Sequence, residues 1–111
     1  MNLIIENVDK MHKAELPKGF GDGLWEVDNI YVGMDSYDFV VQRWWGSKIN
    51  YVCKLSIMRD GDKKVSTKDG WLYPIKIDGH KTIHYLLRDE LKDMNKVMKR
   101  FSDILYRMPI K

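Results

Sequence analysis

The chain of 111 residues has one cysteine, three prolines and a single alanine, Ala14. A lone thiol cannot close an intrachain disulfide, so a hydrophobic core must hold the fold. At this length one domain, 1-111, buries roughly 65% of its unfolded surface without metal or cross-link, and a second domain is not expected. No run of 18 apolar residues occurs, which excludes a membrane-spanning helix. Met1-Asn2-Leu3-Ile4-Ile5-Glu6 lacks the basic flank and long apolar stretch of a secretory leader. The expected location is cytoplasmic, with no membrane partner.

Charge of one sign is lacking too. Nineteen basic and sixteen acidic residues leave +3, spread along the chain, which permits nucleic acid or an acidic surface as partner without requiring either. Fourteen Lys against five Arg, with ten Ile, is the usage of an AT-rich genome, so a phage or mobile-element origin is the expectation.

The signatures of catalysis are absent as well. There is no G-x-S-x-G, no Cys-His pair and no nucleotide fingerprint. Gly19, Gly21 and Gly23 precede a strand rather than a helix and lack a following Gly-Lys-Ser/Thr, so 17–23 reads as a flexible connector. His80 and His84 fall on a strand, where four residues span roughly 13 Å, too far for one ion. Glu26 and Asp28 share an outward face with no neighbouring His, Lys or Ser to complete an acid-base set. Cys53 sits at an inward strand position, as a small buried hydrophobe. The chain is expected not to be an enzyme; no catalytic residue, metal or cofactor is assigned.

What the sequence does have is alternation. From Trp25 to Tyr85 the odd positions collect most of the apolar and aromatic residues, the period of strands with one buried face. Three-residue loops at the turn signals keep these residues in phase. Gly46-Ser47-Lys48 places Trp45 opposite Ile49 and Val41 opposite Cys53. Met34-Asp35-Ser36 places Tyr31 opposite Phe39 and Val27 opposite Arg43. Asp60-Gly61-Asp62 places Ile57 opposite Val65, and Lys68-Asp69-Gly70 places Val65 opposite Tyr73. Asp78-Gly79-His80 places Ile75 opposite Ile83 and Tyr73 opposite Tyr85. The reading is a meander of about six antiparallel strands over 24-85, with Pro74 on an edge strand or at a bulge.

Leu87, Leu91, Met94, Met98, Phe101, Leu105 and Met108 recur at helical spacing, so 87-108 reads as one long amphipathic helix stopped by Pro109. Apolar Val97 and Ile104 widen its stripe beyond a zipper seam, as suits packing on the chain's own sheet. The segment 1-23 combines a short strand at Leu3–Ile5, or a brief helix capped by Asn7 and running to Glu15, with the connector. The fold class is therefore α+β: an antiparallel sheet, open or partly closed into a barrel, packed against a C-terminal helix. In topology this outline resembles PH-like barrels, Whirly-type single-strand binders and the helix-grip fold. No signature of these families is matched residue by residue, so the resemblance carries no function.

Function is sought on the outward face. The register sets Trp44 beside Asn50, Gln42 beside Val52, and Val40 beside Lys54, so Trp44, Gln42, Asn50, Val52 and Lys54 form a candidate protein-binding patch unless the N-terminal segment covers it. The expected function is a small adaptor or inhibitor, monomer or homodimer, that binds a protein partner through a sheet face or edge. The alternative is a single-strand nucleic-acid binder in which Trp44 and His84 stack bases while Lys54, Lys76 and Lys92 meet phosphates.

Overall fold

The computed structural model describes residues 5, 7–19, 23–59, 62–67 and 70–108. It is an α+β fold in which an antiparallel sheet, not closed into a barrel, carries two short helices after its last strand. The strands are β1 (Leu24–Val32), β2 (Ser36–Trp45), β3 (Lys48–Met58), β4 (Asp62–Thr67), β5 (Gly70–Ile77) and β6 (Ile83–Leu87); the helices are α1 (Arg88–Leu91) and α2 (Met94–Leu105). Five strands run in the order β1-β2-β3-β5-β4, and β6 pairs with β5 beside that path.

In the central hairpin, Tyr37, Phe39 and Val41 face Ile57, Leu55 and Cys53 across β2 and β3, and all six are buried. The turn differs from the expected one. Trp45 faces Lys48 rather than Ile49, so only Gly46 and Ser47 connect the strands, with Gly46 at φ 64°. A two-residue turn alone would put the strands out of phase. The register shift between Arg43 and Trp44, which passes over Asn50, restores Val41 to Cys53. Trp44 consequently lies opposite Ile49 instead of Asn50, and Trp45, expected in the core, is 51% exposed with Arg43 stacked on its ring at 5.2 Å.

A second shift sets β1 against β2. Val27 faces Val41 and not Arg43, and Ile30 and not Tyr31 faces Phe39, with the shift between Val27 and Asn29. The extra residue, Asp28, changes the inward parity from odd to even. Trp25 and Val27 are buried, Ile30 packs on the core and Tyr31 is exposed.

The meander itself is not sequential. Ile57 faces Ile75 of β5, not Val65, and Leu55 faces Ile77. The sequence supplies the reason: Asp62–Thr67 offers only Val65 as an apolar partner, whereas β5 offers Tyr73, Ile75 and Ile77 to the inner face of β3. Thr67 pairs with Gly70, so Val65 does not take the register opposite Tyr73 either. β5 thus lies along β3 with one half and along β4 with the other. Pro74, expected on an edge strand or bulge, sits where the first ladder stops. Asp78 N–H donates to Lys54 O at 3.0 Å, and alternation makes 76 and 74 the next donors toward β3; Pro74 has none to give.

β6 is one residue out of the expected register. Ile75 faces His84, Tyr73 faces Leu86, and Ile83 lies opposite Lys76. A five-residue connection, 78–82, replaces the three-residue turn, so Leu86 enters the core and Tyr85 turns outward.

The single long helix is two. Asp93 adopts extended φ/ψ and its Oδ1 accepts from Asn95 N–H at 2.9 Å, capping α2 and breaking the helix after Leu91. The apolar stripe survives the break. Leu91, Val97, Met98, Phe101, Ile104 and Leu105 are buried, and Phe101 meets Phe39 edge-on at 5.0 Å, so the helix covers the sheet's inner face. Tyr106 N–H still bonds Ser102 O beyond the last turn; Pro109 lies outside the described residues.

The N-terminal segment joins this core. Leu3 and Ile4 lie outside the described residues, but Ile5, Met11 and Leu16 are buried with the inner-face side chains. Asn7 makes no side-chain cap; it takes φ 56° before a single 3-10 turn, Val8–Met11, after which the chain extends and bonds β1 at Trp25 and Val27. Pro17 O accepts from Ser102 Oγ, so this end of the connector is tied to α2 rather than free.

Candidate functional site

The covered and uncovered sides of the sheet follow from these registers. The inner face takes the helices and the N-terminal apolar residues. On the outer face, cross-strand rows run Leu24–Trp44–Ile49, Glu26–Gln42–Val52, Val40–Lys54 and Asp38–Ser56–Lys76–Ile83. No described helix or strand lies across these rows. Val52 is 56% exposed and Ile49 is 45% exposed.

The candidate protein-binding residues therefore share a face, with changes. Gln42 lies opposite Val52 and Val40 opposite Lys54, as the register requires. Gln42, however, is only 6% exposed; its Nε2 donates to Glu26 Oε1 at 2.7 Å, which makes it a support for the patch rather than a contact. Asn50 is exposed at the bulge, and Ile49 takes its place beside Trp44. Bulges leave no residue-type signature strong enough to read here, so Ile49 and Leu24 were invisible as members of this surface. Trp44 is half-buried, and its Nε1 is enclosed with no acceptor among the described residues. A shallow hollow beside it is lined by Lys18, Gly23, Leu24 and Glu26.

The candidate nucleic-acid set is dispersed. Lys54 and Lys76 meet at an outer-face depression of about 510 Å³ that Asp38, Ser56 and His80 also line. Trp44 stands at the far end of the same face. His84 is on the inner side, opposite Ile75 and beside Arg100 and Ile104, and Lys92 is exposed at the break between α1 and α2. Two of the helix cations are matched: Arg100 bonds Glu90 at 3.1 Å and Lys99 bonds Asp103 at 3.0 Å.

Chemical groups elsewhere stay apart. Glu26 holds Gln42, while Asp28, displaced by its bulge, pairs with Lys13 at 2.8 Å and raises the lysine's pKa. Burial pushes the Cys53 thiol up to about 12, so the thiolate is scarce at neutral pH. Among the described residues no three His, Cys, Asp or Glu side chains gather as a metal site, and no helix is long and apolar enough to cross a membrane. No family model matches this chain, nor does any curated protein or solved structure.

Proposed function

We propose that this protein binds and modulates another protein through the outer face of its sheet, around Trp44, Ile49 and Val52. The observation that supports the reading is a pair of exposed aliphatic side chains, Ile49 and Val52, in neighbouring rows beside half-buried Trp44, on the sheet face opposite the one that holds the core. An aromatic ring edged by aliphatics, with the Gln42–Glu26 pair fixing polar groups beneath, has the composition of an interface centre. A bound partner would act by occlusion or by holding one conformational state.

The test is site-specific photocrosslinking in the producing cells, with the reactive residue at position 52, at 49 or, as control, at 99 on the helix. A single adduct of defined mass from 52 and 49, lost in Trp44→Ala while the fold persists, supports the proposal. Equal labelling from all three positions, or none, rejects it. The same protein is titrated against a labelled single-stranded oligonucleotide at low and physiological salt. Tight, salt-sensitive binding there would replace the proposal with the nucleic-acid alternative.

A further inference from the structure

The β2–β3 hairpin runs past the strands on either side of it. β1 pairs with β2 no further than Leu24 opposite Trp44. β5 pairs with β3 only from Leu55 to Ile57, with Asp78 N–H reaching Lys54 O. Between those limits residues 45–50 are all exposed, and a Cβ placed on Gly46 would meet nothing within 4 Å. The end of the hairpin is a two-stranded blade with a side on each face of the sheet.

Each side carries an indole. Successive residues of β2 alternate and the bulge lies in β3 at Asn50, so Trp44 is on the outer side and Trp45 on the inner. The Arg43 guanidinium over the Trp45 ring, at 5.2 Å, places both on that inner side, and Arg43 lies between Trp25 and Tyr51 in its cross-strand row. Trp25 is buried, Tyr51 is half-buried, and their rings meet edge-on at 5.9 Å. The packed interior stops at that row. Trp45 stands one step beyond it, 51% exposed and opposite exposed Lys48. On the outer side Ile49 faces Trp44, with Val52 in the next row.

This shape limits what can cover it. A flat surface laid on the outer face covers Trp44, Ile49 and Val52 and leaves Trp45 in water. The outer patch is also small against the roughly 800 Å² per partner of a stable interface, and the inner side of the same hairpin is the nearest apolar surface that enlarges it. Arg43 restricts the Trp45 ring by stacking on it, so an exposed aromatic is held in place before anything binds. Trp and Arg are the residue types that most often dominate interface energetics. A body that covers both indoles has two walls.

We infer that the end of the β2–β3 hairpin inserts into a cleft of the partner protein, gripped at Trp44 and Ile49 on one side and at Trp45 on the other. The inference rests on the proposed reading and adds the shape and chemistry of the partner. Its cleft has two apolar walls, each with its backbone about 10 Å from the hairpin, the spacing of packed sheets. One wall takes the outer row of Trp44 and Ile49, with Val52 beyond it. The other takes the Trp45 ring, beside the Arg43 guanidinium that holds it.

The experiment extends the photocrosslinking in the producing cells to position 48, on the inner side, and reads each adduct by its mass and by the partner fragment it carries. Positions 48 and 49 should give adducts of one mass, joined to two different segments of the partner. Trp45→Ala should keep the urea midpoint and lower the yield from position 52, on the other side of the sheet, about tenfold. Adducts from 49 and 52 with none from 48, or an unchanged yield from 52 in folded Trp45→Ala, overturn the cleft and leave the proposed reading standing. Crosslinks from 48 and 49 to one and the same segment overturn it as well. So does an adduct of twice the mass of this chain, which assigns the hairpin to a second copy, or one that a nuclease removes. No adduct from any of the three positions rejects the reading and the cleft together.

Discussion

The hydroxyl of Tyr106, just past the end of α2, accepts a hydrogen bond from the backbone N–H of Trp25 at 3.3 Å, across eighty-one positions of sequence. Both residues are buried, and the bond satisfies a donor that β1 would otherwise leave without an acceptor beneath the helix. Tyr106→Phe keeps the ring and removes the acceptor. Urea denaturation should show a loss of about 1–2 kcal/mol, and exchange at the Trp25 amide should rise more than at Val27. Equal stability would mean that this bond does not link helix to sheet.

Cys53 makes a second prediction, about alkali. Its ordinary value of 9.0 is raised by burial first and by the Asp78 carboxylate second; Tyr51 is raised by burial and by Cys53. Both groups ionise more readily when unfolded, so the unfolded chain gains as pH rises. Lys13, raised chiefly by its bond to Asp28, loses that bond on deprotonation, which acts in the same direction. The urea midpoint should be flat near neutrality and fall steadily from about pH 9 to about 12. A midpoint that rises over that window contradicts all three signs. At neutral pH a thiol reagent should modify Cys53 only in proportion to the unfolded fraction.

Two glycines separate space from backbone conformation. Gly23 and Gly79 both have positive φ, 88° and 80°, but a Cβ on Gly23 would lie 2.9 Å from Trp44 O, while one on Gly79 meets nothing within 4 Å. Gly79→Ala should cost about 1 kcal/mol. Gly23→Ala should cost more, about 2 kcal/mol or above, because the β1–β2 backbone has to part; thermal denaturation of the two variants measures the difference.

Much of the core was legible because alternation is a property of the side chains themselves. Val41 opposite Cys53 survives an incorrect turn, since the bulge at Asn50 returns the strand to the phase that burial demands. What could not be read were the corrections that backbone geometry makes at one residue. Asp28 shifts β1 and an extended connection shifts β6, which exchanges Tyr31 for Ile30 and Tyr85 for Leu86 in the interior. The pairing of β3 with β5 was within reach of the sequence: β4 is too polar to serve, and Pro74 marks the place where the ladder must stop. The helix break was marked by Asp93, a cap residue inside an otherwise periodic run. The candidate surface was half visible, because Val52 follows from strict alternation and Ile49 only from the bulge.

That break can be tested through its cap. Asp93→Ala removes the acceptor for Asn95 N–H and should lower stability by about 1 kcal/mol. Asp93→Asn retains a capping oxygen and should recover most of the loss in the same denaturation series.

Trp44 decides whether the outer-face aromatic serves fold or surface. Its enclosed Nε1–H finds no acceptor among the described residues, so a phenylalanine here gives up no bond that they make. Trp44→Phe removes that donor while keeping an aromatic ring over Leu24 and Ile49; it should leave stability unchanged or raise it by up to about 1 kcal/mol. Trp44→Ala removes the packing as well and should cost about 1–3 kcal/mol without unfolding a half-buried site. If Phe is instead as damaging as Ala, the indole nitrogen has a partner that stabilises the fold, and Trp44 belongs to the structure rather than to a contact surface. If Phe is benign for stability yet abolishes the crosslink from position 52, the N–H is kept for an acceptor on the partner, and the group that the fold leaves unpaired is the one the interface uses.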